Sequence, residues 1–541
     1  MSMFGDYKSY RKFSPQYAEW KNQRDLQDAK RQEFLRLNPT CLNQEDIQKS
    51  KSLLRAIDVM DEYSQKRAED MEVATETIVS SGLEIAASLG AGLGFLVTLT
   101  KPVKNLIKKH AINDKKASII IAISSMVGGG ILGTLAAFPL FAWAAKAEVK
   151  ASRKGRFEAI RKDLNNPKTF ATLTSEQESQ LNQNLQVLST QKEKKNPFKN
   201  IKESYQTVKN MVFDSKEYLM QRYEFEKKLK EDEELFNKEL TTEEIETAKK
   251  DQQLLTKLIE KIDIASQDYA ENAELATSAL ITTVFAFGAL FSLGYEKIAK
   301  HFKWKQSSAP AILGMIAMMG SSIAGAQIQK QASRVGRFKI KQELLKNPQQ
   351  LVYVPDEKTG EITDVKIQRE DKLNILKFLK EAWKNNKEFE KWQKTEGAKE
   401  KKLAQALENI EISEKQLKEA KRLQHNTFKT FNKIDENSQK YSESIEALGQ
   451  AIQYPLSLIF SAIGVALGIK HLEKLAKSKN AHESAMAFIK YFSTIMLSTL
   501  PSIGINAYIT KEQKKASRVA NMLAINELND YRHFADYSRF K

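Results

Sequence analysis

Charged residues make up 28% of this 541-residue chain, yet six windows contain none: 85–100, 117–145, 275–295, 306–329, 447–469 and 491–510. That unevenness limits what the chain can fold into. A helix rises about 1.5 Å per residue, so about 20 apolar residues cross a hydrocarbon core of about 30 Å. Five windows reach that length, and 85–100 does so when its span starts near Thr77 and takes in Glu84. A soluble core helix keeps a charged face, which the 29 residues of 117–145 cannot supply. The expected fold is all-α and polytopic, with six transmembrane helices. The mean hydropathy of −0.48 looks soluble only because the other segments are so polar.

The windows fall into three copies of one unit. Ala-Ser-Arg closes each pair of windows, at 151–153, 332–334 and 516–518. Its context reads ASRKGRFEAIRKDLNNP, ASRVGRFKIKQELLKNP and ASRVANMLAINELND, so the third copy has lost Gly-Arg-Phe. Ahead of each pair stand DEYSQKRAEDMEVA from Asp61, DIASQDYAENAELA from Asp263 and DENSQKYSESIEAL from Asp435. Fixed offsets of 202 and 172 align these aspartates, then Ser64, Ser266 and Ser438, then Glu69, Glu271 and Glu443, then Glu72, Glu274 and Glu446. Further upstream, Asn43, Thr241 and Ser413 are N-caps, with Asp46, Glu244 and Gln416 three residues on. Each unit is a capped polar helix, an apolar hairpin and a basic exit helix.

The chain therefore divides as follows. Residues 1–76 are polar helices leading into the first copy. Hairpin 1 and its exit helix take 77–167, a linker 168–200, and a polar helical segment 201–274. Hairpin 2 and its exit take 275–348, a short β-hairpin 349–367, a second polar segment 368–446, and hairpin 3 with its exit 447–541. The polar segments carry apolar residues at helical spacing, as in Leu373, Leu376, Leu379 and Trp383, and read as amphipathic helices paired in short coiled coils. The β-hairpin rests on the two β-prone runs of LVYVPDEKTGEITDVKI.

The spans are rich in small residues, with G-x-x-x-G pairs at Gly90/Gly94, Gly129/Gly133 and Gly464/Gly468 that let helix backbones approach in lipid. Six spans put both termini and all long segments on one side. Lysines and arginines flank the spans on both faces, and the net charge is +17, so anionic headgroups are an expected partner. With one cysteine, Cys41, the chain has no intramolecular disulfide, and its first residues carry no apolar export signal; the long segments are expected in the cytoplasm.

No phosphate loop, dinucleotide turn, zinc-protease helix or nucleophile triad is legible, and no cofactor or metal is expected. The basic exit helices lack interleaved aromatics, which argues against nucleic acid. Glu84 and Lys490 are the ionisable groups in or beside spans. The repeated charges suggest ion pairs Glu72–Arg153, Glu274–Arg334 and Glu446–Arg518, within a copy or to its neighbour, with the Glu69 set as alternates. Three two-span repeats also build mitochondrial carriers, but their Pro-x-[Asp/Glu]-x-x-[Lys/Arg] motif is missing here, so no family follows. Because the spans are poor in ionisable groups, a non-enzymatic scaffold that binds partners or anionic lipid is expected ahead of a pseudo-threefold channel or transporter.

Overall fold

The computed structural model describes residues 3–39, 44–68, 71, 138–190, 216–303, 309–363, 365, 373–397, 402–477 and 481–541. These residues are mostly helical, with no strand among them. The principal helices are α1 (Met3–Leu37), α2 (44–68), α3 (Phe138–Lys162), α4 (Ser175–Thr190), α5 (Lys216–Glu231), α6 (Thr242–His301), α7 (Ala309–Lys346), α8 (Ile375–Lys394), α9 (Glu414–Lys477) and α10 (Ala481–Glu527). α6 packs lengthwise on α7 and α9 on α10, with α6 also against α10 and α3 against α9.

Local sequence sets where the entry helices start. The Thr241 side chain accepts from the Glu244 backbone while Glu244 accepts from the Thr241 N–H, a complete capping box. Ser413 and Gln416 repeat it, at 2.9 and 3.2 Å. Each exit helix ends in a 3-10 turn, at Pro167–Phe170, Pro348–Leu351 and Tyr531–Phe534. These turns drive Phe170, Leu351 and Phe534 into the core, where they meet Leu53 and Ile57 of α2, Leu255 and Leu258 of α6, and Leu423 and Phe431 of α9.

Three sequence expectations change here. The described residues of 351–367 hold no strand: a single helical turn, Asp356–Thr359, stands where the turn of the β-hairpin is expected, and residues 364, 366 and 367 lie outside the described residues. Leu351, Val352 and Val354 are buried against helices, and the Val354 N–H donates to Gln253 Oε1 rather than to a strand. The β-prone residues are apolar because they fill the helical core. Residues 168–200, read as a linker, hold α4, whose Leu181 is buried in the same core. The polar helices α5 and α8 pack against exit helices rather than with one another, Phe225 on Phe157 of α3 and Phe389 on Phe338 of α7.

Among the described residues, two helices are long and apolar enough to cross a membrane, 242–295 and 483–527, not six. Windows 85–100 and 117–137 lie outside the described residues, while 306–329 and 447–469 lie largely on α7 and α9. Only 22% and 11% of the most apolar stretch of the two spanning candidates is buried. Phe287 and Leu290 of α6 and Tyr508 of α10 are exposed, so these stretches are apolar without being a protein core.

Within the apolar stretches, helices meet through small residues. A Cβ at Gly464 of α9 would lie 2.7 Å from Ile495 Cα of α10, and one at Gly468 would lie 2.7 Å from the Tyr491 ring. Gly90, Gly94, Gly129 and Gly133 lie outside the described residues. Gly464→Leu is expected to part α9 from α10 at a cost of about 1–3 kcal/mol, as overpacking does. The check is the unfolding midpoint of the detergent-solubilised protein; an unchanged midpoint would contradict this packing.

A buried ring of charge pairs as the candidate functional site

In the first two copies entry and exit helices approach closely at equivalent levels. A Cβ on Gly155 of α3 would lie 2.8 Å from Ser64 Cα of α2, and one on Gly336 of α7 would lie 3.0 Å from Ser266 Cα of α6. Only glycine allows that approach. The serines of the Ala-Ser-Arg triplets lock it: Ser152 Oγ is 2.6 Å from Ser64 Oγ, and Ser333 Oγ is 2.7 Å from Ser266 Oγ. In the first two copies the glutamine after the entry serine reaches the next copy. The Gln65 amide lies 3.0 Å from Ser333 Oγ, and with its oxygen turned inward it also accepts from Arg337 at 3.1 Å. Gln267 donates to Ser517 Oγ at 3.1 Å.

The aligned aspartates face the residue five beyond the start of each triplet, and they do so in a cycle. Arg156 of the first copy pairs with Asp435 of the third and reaches Asp61 at 3.8 Å. Arg337 of the second pairs with Asp61 of the first at 3.6 Å. Asn521 of the third donates to Asp263 of the second. Each exit helix thus binds the entry helix of the preceding copy.

The triplet arginines follow the same rule. Arg334 binds Glu62 at 2.6 Å. Arg518 binds Asp268 at 3.0 Å and pairs with Glu271, and Gln267 accepts from it at 3.1 Å. Arg153 reaches Asn432 of the third copy at 3.5 Å and binds Glu226 of α5 at 2.8 Å.

Of the residues singled out in the sequence, Arg518 and Glu271 are brought together. Arg334 faces Glu62, while Glu274 lies beside Ser278, 3.4 Å away. Glu72 and Glu84 lie outside the described residues, as does the side chain of Glu446 on α9. Lys490 is half-buried on α10. The sequence aligns the central carboxylates as a set but does not by itself assign their partners Arg156, Arg337 and Asn521. The signal was present: these three share one position relative to Ala-Ser-Arg.

Burial pushes Asp435 above the usual carboxylate range despite Arg156 and Arg153 beside it. Burial also raises Asp263, against the pull of Asn521 and Arg337. Burial works against the Arg156 charge, yet Asp435, Asp61 and Asp263 outweigh it and hold that guanidinium above its ordinary value. Three carboxylates thus face two guanidiniums and one amide, so Asp263 is the acid in excess. Removing one partner of a buried pair strands the other charge. Asp61→Asn is accordingly expected to cost about 3 kcal/mol at neutral pH, and Asp263→Asn close to nothing. Denaturation of the two variants side by side decides it; equal losses would dissolve the ring as a unit.

A second polar cluster lies deeper in the helical core. Asp251, fully buried, binds Lys49 at 2.7 Å and Arg422 at 2.9 Å, and Lys49 also meets Glu419 at 3.2 Å. A third ties α1 along α6: Lys21 to Asp268 at 3.5 Å, Arg24 to Glu260 at 3.5 Å, and Asp28 to Lys261 at 3.3 Å and Lys257 at 3.6 Å. Burial drives Glu260 up to about 7, against Arg24. A carboxyl raised in this way favours the folded state while protonated, and that contribution is lost as pH rises through about 7. Glu260→Gln, permanently neutral, should therefore match the parent near pH 5 and exceed its unfolding midpoint at pH 8. A midpoint gap that narrows with pH would refute this.

Beside the ring lies a cavity of about 360 Å³, bounded by Asp61, Glu62, Arg334, Arg337, Phe389 and Trp392. Its acids and bases already face one another, and among the described residues no three His, Cys, Asp or Glu side chains converge on a metal site. No family model matches the chain, and neither a curated protein nor a solved structure matches it.

Proposed function

We propose that the chain is a six-span α-helical membrane protein built from three hairpin repeats, acting as a non-enzymatic scaffold. The observation that carries the reading is the pair of apolar stretches on α6 and α10, which are uncharged, long enough to span, and mostly unburied by protein. Soluble core helices of that composition are covered. The windows on α7 and α9 pair with them as hairpin partners, and the windows at 85–100 and 117–145 supply the first hairpin by sequence repetition.

A scaffold is favoured over a channel by what occupies the place where three repeats would meet. Asp61, Asp263 and Asp435 converge with Arg156, Arg337 and Asn521, so the centre of the assembly at that level is filled by paired side chains. The long charged helices beyond the ring offer surface for a protein partner, and the basic span ends suit anionic lipid. The long segments and both termini are assigned to the cytoplasm.

The test is single-cysteine labelling on a Cys41→Ser background with an impermeant reagent. Positions in loops 101–116, 296–305 and 470–480 should label from one side, and positions in the long segments from the other. Any loop sharing a side with a long segment would defeat the six-span topology. Proteoliposomes loaded with a small dye and with potassium should show no protein-dependent release; saturable release would favour the transporter reading instead.

A further inference from the structure

Three helices outside the hairpins brace the three exit helices, each at the residue after the ring position. Phe157 of α3 meets Phe225 of α5 at 5.8 Å, and Phe338 of α7 meets Phe389 of α8 at 5.7 Å. Met522 of α10 packs with Tyr10 and Tyr17 of α1. All three braces run in the same sense. On α8, Trp392 lies under Lys341, while Phe378 and Leu379 pack near Ala273 and Ile328, at the edges of windows 275–295 and 306–329. On α1, Asp28 faces Lys257, Tyr10 donates to Glu512 at 2.7 Å, and Ser444 donates to Asp6 at 3.0 Å, beside windows 491–510 and 447–469. Just past the C-terminus of α5, Asp232 meets His425, and Phe225 meets Phe428, three residues nearer window 447–469, so the N-terminal end of α5 with Leu219 is directed toward the windows. Each brace therefore points its N-terminus at the edge of the apolar windows.

Those N-terminal ends carry exposed apolar side chains. On α8, Ile375 and Trp383 are exposed and Leu376 is 77% exposed. On α5, Leu219, Met220 and Tyr223 are exposed, and on α1, Tyr7 is. Leu376, Lys380, Trp383 and Lys387 form one stripe at helical spacing, with Lys387 5.5 Å from the Trp383 ring. Residues 375–387 hold four lysines against one glutamate. Leu376 lies two residues before Phe378, so it sits at or below the edge marked by Ala273 and Ile328. Trp383, about 10 Å further along at 1.5 Å per residue, then lies at headgroup height. Aromatic and basic residues favour that height, with aliphatic groups below it.

We propose that the N-terminal turns of α8, α5 and α1 form an interfacial collar seated in the anionic bilayer surface around the bundle, with α8 its deepest member. This rests on the membrane reading above. The occupant of the exposed stripe on α8 is the boundary between headgroup and acyl chain of the same bilayer, which matches its level, its order of side chains and its positive charge.

The experiment places a fluorescent label on single cysteines of the full chain, on a Cys41→Ser background, in nanodiscs. Leu376→Cys and Tyr223→Cys probe the collar, Phe287→Cys a lipid-facing span, and Lys394→Cys the far end of α8. Quenching is compared between brominated lipid and aqueous iodide. Labels at 376 and 223 should be quenched chiefly by brominated lipid, as at 287, with 394 quenched by iodide. If 287 responds to brominated lipid while 376 and 223 respond only to iodide, the collar is wrong and the spans stand. If 287 responds only to iodide, the membrane reading itself falls. Replacing Lys377, Lys380, Lys384 and Lys387 with glutamine should reduce lipid quenching at 376 in anionic nanodiscs and leave it unchanged in neutral ones. An equal response in both would exclude a role for headgroup charge.

Discussion

The cyclic pairing of exit-helix arginines with aspartates of the preceding copy is the constraint on which the assembly depends. On the membrane reading proposed above, helix hairpins gain nothing from the hydrophobic effect by associating with one another. Small residues let α9 approach α10 at Gly464 and Gly468, but that contact lies within one hairpin. The ring joins different hairpins: Arg156 to Asp435, Arg337 to Asp61, and Asn521 to Asp263. Its charges are largely withdrawn from water, so a slip of one helix turn would leave both a guanidinium and a carboxylate unpaired. A buried ion pair is weak evidence of net stability, but its breakage is costly. The ring is therefore better understood as fixing the register and order of the three copies than as the main source of their stability. That main source is the aliphatic and aromatic core beyond it, where Phe170, Leu351 and Phe534 enter from equivalent 3-10 turns.

The glycines explain why the ring can be so tight. At Gly155 and Gly336 the exit helix comes within side-chain distance of the entry backbone, which sets the serine hydroxyls 2.6 and 2.7 Å apart. Those short bonds hold the rotation of the first two exit helices. With the rotation held, the arginine one residue after the glycine reaches the neighbouring copy, Arg156 to Asp435 and Arg337 to Asp61, and Arg156 meets Asp61 of its own copy as well. One motif therefore does two jobs: serine and glycine close the hairpin, and arginine reaches across.

Much of this was legible in the sequence. The apolar windows, the capping boxes at Thr241 and Ser413 and the aligned aspartates were all visible as patterns of spacing, because helical periodicity and cap chemistry are local. What was not legible depended on which copy neighbours which. The expected pairs assumed equal heights above the membrane, and height alone does not select between Glu62 and Glu274 for Arg334. The lateral order of helices does, and the linear sequence does not contain it. The β-prone run at Leu351–Val354 misled for a related reason: Val and Leu suit a buried surface of either kind, and here the surface they meet is helical.

The third copy shows how far the motif can change while the geometry holds. Ala520-Asn521-Met522 stands where the other copies have Gly-Arg-Phe. Ala520, at the glycine position, is fully buried. Asparagine is too short to span two carboxylates as Arg156 does, but its amide still donates to Asp263. One turn away the third copy keeps its triplet arginine, the counterpart of Arg153 and Arg334, and Arg518 binds Asp268 and Glu271 of the same entry helix. Asp268 also meets Lys21 of α1, so the N-terminal helix contributes a further cation at the site that lost one. The aromatic ring lost at Met522 is supplied from outside as well: methionine adapts to the Tyr10 and Tyr17 side chains of α1, where the other copies set phenylalanine against phenylalanine. The N-terminal helix and the divergent third copy therefore form one unit. What the exit helix lacks in its own sequence, α1 provides across nearly the whole length of the chain.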